Sequence, residues 1–153
     1  MLKNLLILSF CFLFVFTAAG NDARQTFRDN TGKIIGTARQ NGSTTTYRDA
    51  TGRATGTAQQ NGTLTTYRDN TGKIIGTARQ NGNTTTYRDA AGRAAGTAQQ
   101  NGTLTTYRDN TGKIIGTARQ NGNTTTYRDA AGRTAGTGWS SNISIPGKTT
   151  VKR

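Results

Sequence analysis

Residues 82–96 read GNTTTYRDAAGRAAG, and the same pattern returns every 20 residues along the chain. An aromatic stands at Phe27, Tyr47, Tyr67, Tyr87, Tyr107 and Tyr127, and an aspartate follows two residues later, from Asp29 to Asp129. Three residues on comes a glycine followed by Lys or Arg, as in Gly72-Lys73 and Gly92-Arg93. A second glycine (Gly36, Gly56, Gly76, Gly96, Gly116, Gly136) and an Asn-Gly pair such as Asn81-Gly82 complete the unit. Self-similarity at a fixed period of this length marks a repeat architecture. A 40-residue super-period lies on top: odd units carry GKIIGTARQNG, even ones a version like GRAAGTAQQNG.

Each unit predicts a β-hairpin. Asn-Gly between two extended runs is the strongest short-range hairpin signal, because the favoured tight turns need φ > 0 at their central residues. The other connection, such as Asp69-Asn70-Thr71-Gly72, has the Asp at i and Gly at i+3 that suit a type I turn. The runs between are rich in Thr, Tyr and Ile, which favour strands. The chain is therefore expected to be all-β, an array of about six 20-residue hairpin repeats, laid out as an antiparallel meander or wound as a β-solenoid.

A two-residue Asn81-Gly82 loop predicts the register: Gln80 opposite Asn83, Ala78 opposite Thr85, Gly76 opposite Tyr87. Side chains alternate between faces. One face then holds Tyr87, Thr85, Ala78, Gly76 and Ile74. The other holds Arg88, Thr86, Thr84, Arg79, Thr77 and Ile75. Tyr47, Tyr67, Tyr87, Tyr107 and Tyr127, with Gly76 and Gly82 and their copies, are the structural positions of the repeat.

The organisation predicted is a leader at 1–20, the repeats at 21–137, and a C-terminal cap or basic tail at 138–153. Residues 1–20 have the pattern of a secretory signal peptide, with Lys3, an apolar run and Ala18-Ala19-Gly20. Cys11, the one cysteine, lies inside that run, so the exported chain would carry no disulfide. Export predicts a secreted, periplasmic or cell-surface protein, with no membrane span after leader removal. Past residue 20, Leu, Ile, Val and Phe number 12 of 133, about 9%, against a threshold of about 20% below which charged chains tend to disorder. Any fold must then be collective, with a single repeat unfolded. In the tail, Trp139, Ile143 and Ile145 are candidates for a cap.

The residue inventory argues against an enzyme. There is no His or Glu, and no Cys after the leader, which removes the usual general acids and bases, the Cys nucleophile and nearly all zinc sites. No catalytic, cofactor or metal site is predicted. The repeated Asp residues read as turn formers rather than calcium ligands.

What remains is charge, +13 for the whole chain. It falls in rows: Arg48, Arg68, Arg88, Arg108 and Arg128 with Arg28; Arg39, Arg79 and Arg119; and the Lys or Arg after each turn glycine. Such rows suit a polyanion, an anionic envelope polymer or glycan. Export argues against nucleic acid as the physiological partner. The competing role is protection of sheet edges, through which the array would otherwise self-associate. A third reading takes the Thr runs as the flat array of an ice-binding-like solenoid.

GNTTTYRDAAGR resembles the YD repeat of RHS-type proteins. Gly82, Tyr87, Asp89, Gly92 and Arg93 carry the likeness, as do Gly122, Tyr127, Asp129, Gly132 and Arg133, and it covers about residues 25–137. The tyrosine that the motif places directly before Asp is Arg here, and the hydrophobic residue expected after Gly-Arg is Ala or Thr in even units. The resemblance implies strand–turn–strand repeats in an exported bacterial protein. RHS repeats wrap into a shell, and this chain is expected to be too short to enclose anything. A decayed or orphan fragment of such a protein, without a ligand, is the alternative that the resemblance suggests.

Overall fold

The computed structural model describes residues 23–141. The predicted leader, Cys11, Ile143 and Ile145 lie outside the described residues. The odd-numbered strands carry the Tyr-Arg-Asp run, Phe-Arg-Asp in the first: β1 (Arg24–Asp29), β3 (Thr44–Asp49), β5 (Leu64–Asp69), β7 (Thr84–Asp89), β9 (Leu104–Asp109) and β11 (Thr124–Asp129). The even-numbered strands carry the Gly-Thr run: β2 (Ile34–Asn41), β4 (Ala54–Asn61), β6 (Ile74–Asn81), β8 (Ala94–Asn101), β10 (Ile114–Asn121) and β12 (Thr134–Ser141). Each pairs antiparallel with its sequence neighbours, and β1 pairs with β12, so the hairpin array is a closed meander barrel.

Closure corrects several expectations. The solenoid layout is excluded, because every pairing is antiparallel and between consecutive strands or across the β1–β12 seam. Among the described residues no strand has an unpaired edge. The repeat fold also runs to Ser141, past the expected boundary at 137. Trp139 lies within β12, half-exposed on the outer wall, rather than in a separate cap. The chain, expected to be too short to enclose anything, encloses its own aromatic rings.

The register differs from the prediction by two residues. Asn81 pairs with Thr84 and Ala78 with Tyr87, so the turn is centred on Gly82-Asn83 rather than Asn81-Gly82. Gly82 takes the positive φ (56°) at the first central position, and the Gln80 carboxamide donates to the Gly82 carbonyl oxygen (3.2 Å). A slip of two keeps every side chain on its predicted face. Tyr87 and its counterparts, with Phe27, point inward among Ala38, Ala58, Ala78, Ala98 and Ala118.

One residue does change face. Tyr67 pairs with Gly76 but Arg68 pairs with Ile74, so Ile74 and Ile75 together oppose one residue as a β-bulge. The extra residue reverses the alternation. Ile74 lies outside beside Arg68, exposed at 42%, contrary to the prediction that it shares the tyrosine face. Ile35 and Ile115 pack against the core, whereas their counterpart Ile75 is itself exposed at 37%. The same bulge recurs after each Asp-x-x-Gly turn.

The second glycine, next to the bulge, is needed on the other side of the strand. A Cβ on Gly76 would lie 2.6 Å from the Arg88 carbonyl oxygen, and one on Gly36 2.6 Å from that of Arg48. The predicted tyrosine over bare glycine is realised between repeats: Gly76 sits opposite Tyr67, while its partner within the hairpin is Asp89. Large aromatics on odd strands thus interleave with Gly and Ala on even ones. Six rings and small residues fill the interior of a chain with few large aliphatics.

Partners advance 22 residues per 20-residue unit, since Gln25 pairs with Ala38 and Ala38 with Tyr47. That climb of two residues per hairpin sums to a shear of about 12 around 12 strands. With ordinary strand spacings it gives a tilt of about 35° and a backbone radius of about 11 Å. The seam keeps the chemistry of the repeat by exchange. Gln80 faces Thr85 inside a regular hairpin, whereas Ser140 faces Gln25 across β12–β1, so the amide and the small hydroxyl have swapped strands.

Candidate anion-binding surface

Up-and-down connectivity sorts the two turn types to opposite ends. All six Asp-x-x-Gly turns, which join odd strands to the following even ones, crown one end. The five Asn-Gly turns and the entry and exit of the described chain crown the other.

Each Asp-x-x-Gly turn is held by a repeated set of hydrogen bonds. The Gly72 amide donates to the Asp69 carbonyl oxygen (3.1 Å), closing the predicted type I turn, and Gly72 follows with φ 87°. The Asp69 carboxylate Oδ1 accepts from the Thr71 amide (2.9 Å), the Thr71 hydroxyl (2.7 Å) and the Lys73 amide (3.0 Å). These donors, the hydroxyl first, hold the Asp69 carboxyl below its ordinary range. Asp29, Asp49 and Asp109 follow the same plan with Thr31, Thr51 and Thr111.

Two turns lack the hydroxyl. Ala91 and Ala131 stand where the others have Thr. There Arg93 and Arg133 donate through Nε to the second carboxylate oxygen of Asp89 and Asp129, at 2.8 Å. Loss of a hydroxyl therefore coincides with capture of the neighbouring cation. The backbone amide of Arg93 is the main cause of Asp89's lowered pKa, followed by its side chain; the Arg133 amide leads for Asp129. Among the described residues, no salt bridge holds Lys33, Arg53, Lys73 or Lys113. This Thr/Ala difference was present in the sequence and was missed there.

The candidate arginines separate into two belts. Arg48, Arg68, Arg88, Arg108 and Arg128, with Arg28, surround the Asp-x-x-Gly end on the outer wall. Each uses Nη1 to donate to the carbonyl oxygen of its own turn glycine, Arg88 to Gly92 at 2.8 Å. Arg39, Arg79 and Arg119 are exposed on β2, β6 and β10 nearer the other end, opposite Thr46, Thr86 and Thr126. The two belts are not one cluster. Between them run six cross-strand Thr–Thr pairs, Thr66–Thr77 among them.

Tyr47, Tyr67, Tyr87, Tyr107 and Tyr127 are core, not surface, and cannot stack on a ligand outside the barrel. Burial pushes the Tyr67, Tyr87 and Tyr107 phenols well above their ordinary range, and for Tyr87 the neighbouring phenols add to the effect. Gly76 and Gly82 serve the backbone alone, as a close approach and a turn. No protein-family model matches the chain, and a search of curated proteins finds none similar to it.

Proposed function

We propose that this is an exported, non-enzymatic β-barrel that binds an anionic envelope polymer or glycan through its arginine belts, in the periplasm, at the cell surface or outside the cell. The observation that carries the reading is the preordering of the Arg48 belt. One N–H of each guanidinium is committed to a turn carbonyl, which fixes the group and leaves four donors for a ligand. Neighbouring members stand about 12 Å apart around the wall. A closed array of fixed cations suits a repeating anion more than a single small one. The turn carboxylates accept hydrogen bonds from turn amides.

The same Arg–carbonyl bond favours a second reading, in which the belt only clamps the turns and the barrel is a structural or spacer protein, or an RHS-like repeat fragment without a ligand. Arg39, Arg79 and Arg119 separate the two. Calorimetric titration with long-chain polyphosphate from 50 to 300 mM salt is expected to show saturable binding that weakens steeply with salt. It should be weaker still after Arg39→Gln, Arg79→Gln and Arg119→Gln together. Absence of saturable binding at low salt would leave the structural reading.

A further inference from the structure

We propose that the Asp-x-x-Gly end of the barrel docks end-on against an anionic lipid surface. This goes beyond polymer binding and uses different residues. All six turns lie at one end of a barrel of about 11 Å radius, so their tips form a ring that a flat surface meets at once. Each turn opens on an aspartate and ends in an exposed cation. Lys33, Arg53, Lys73 and Lys113 carry no salt bridge among the described residues, although each lies close enough to its turn aspartate to lower that carboxyl's pKa. With Arg28 and its counterparts the end keeps a net positive charge. The opposite turns, such as Gly62-Thr63 and Gly82-Asn83, carry no charge.

An apolar component lies beside these cations. The bulge turns Ile34, Ile74 and Ile114 outward, at 40%, 42% and 42% exposure, directly after Lys33, Lys73 and Lys113. The 40-residue super-period spaces these Lys-Ile pairs one to each third of the barrel. Each isoleucine opens its strand, within about 5–10 Å of the turn tips, the depth at which interfacial apolar groups sit. Exposed isoleucine adds nothing to the capture of a hydrated polymer. Beside a lysine it is what an interface with anionic headgroups takes. The rest of the wall is mainly Thr, Arg and Gln, with Leu64 and Trp139 exposed singly nearer the other end, on strands of 6 to 8 residues, against the continuous apolar band and 9–11 residues that crossing requires. The barrel therefore rests on the surface and does not span it.

The test is flotation of residues 21–153, which contain every strand of the closed barrel, with vesicles of phosphatidylcholine alone or with phosphatidylglycerol. Binding is expected only to the anionic vesicles. Lys33→Gln, Lys73→Gln and Lys113→Gln together should reduce partitioning roughly 100-fold. Ile34→Thr, Ile74→Thr and Ile114→Thr should reduce it roughly tenfold, with circular dichroism and polyphosphate binding unchanged. Three results each overturn the proposal: no binding to anionic vesicles; wild-type partitioning by either triple variant; or loss of vesicle binding through Arg39, Arg79 and Arg119 instead. Polyphosphate binding that persists without vesicle binding sinks lipid docking alone. Vesicle binding without polyphosphate binding sinks the polymer reading alone.

Discussion

Replacing Gly76 with alanine isolates the close approach between β6 and β7. The new Cβ would lie 2.6 Å from the Arg88 carbonyl oxygen, a backbone atom that cannot rotate away. The adjoining strands, β6 and β7, must separate, or the bulge must open. Overpacking of this kind costs roughly 2 kcal/mol, which lowers Tm by about 8 °C in a domain of this size. Gly82 is the control. Its φ of 56° disfavours alanine, yet nothing lies within 4 Å of a Cβ there. Gly82→Ala should cost roughly 1 kcal/mol, or about 4 °C, and Gly82→Asn much less, because asparagine tolerates this backbone. Gly76→Asn should be no better than Gly76→Ala. Thermal melts by far-UV circular dichroism give the comparison. The reasoning fails if Gly76→Ala melts within about 2 °C of the parent, or if asparagine rescues position 76 as it does position 82.

The buried phenols Tyr67, Tyr87 and Tyr107 have raised pKa values, so their stabilisation is complete below the unfolded value of about 10 and is lost as pH rises beyond it. Absorbance at 295 nm should then rise together with loss of the β-spectrum, and smooth titration of these tyrosines near pH 10 with the fold intact would contradict it. The turn aspartates have lowered values, so their contribution is complete above about pH 4 and fades as pH falls through the folded values. Tm measured against pH should be flat from 5 to 8 and decline below about 4, and less so for a variant with several Asp→Asn changes. At the seam, a Cβ on Gly138 would lie 2.8 Å from Gln25 Nε2 and 3.1 Å from the Tyr127 hydroxyl. Gly138→Ala should destabilise by roughly 1 kcal/mol alone and by markedly less in a Gln25→Thr background, a non-additivity that chemical denaturation of the four proteins measures.

What was legible in the sequence was what is local. Asp69 and Gly72 declared their turn, because an Asx side chain and a left-handed glycine act within four residues. The faces of Tyr87, Ala78 and Arg79 followed from period-two alternation and survived a two-residue error in register. Ile74 was misplaced because the bulge opposite Arg68 inserts a residue between β5 and β6, a pairing across strands that spacing does not encode. Closure was out of reach for a similar reason. Nothing near β1 or β12 announces that Gln25 and Ser140 will meet, although their exchanged identities are consistent once the partner is known. The low aliphatic content suggested a chain at the margin of folding. Consecutive strands set each tyrosine between an Ala and a Gly, and closure does the same for Phe27 with Gly36 and Gly138, which counting large residues does not register. The arginine rows were visible as rows, but their division into a turn-clamping belt and a separate wall belt rests on hydrogen bonds to the turn glycines.

Native-state amide exchange in β1 tests closure most directly. In the closed barrel, β1 pairs with β2 on one side and β12 on the other, from Arg24–Ser141 to Asp29–Gly136. Every amide from Gln25 to Arg28 should then be protected as strongly as those in the middle of β6. In an open meander β1 would be an edge strand, and alternate amides would face water. Rapid exchange at every second residue of β1, matched in β12, would show that the ring does not close.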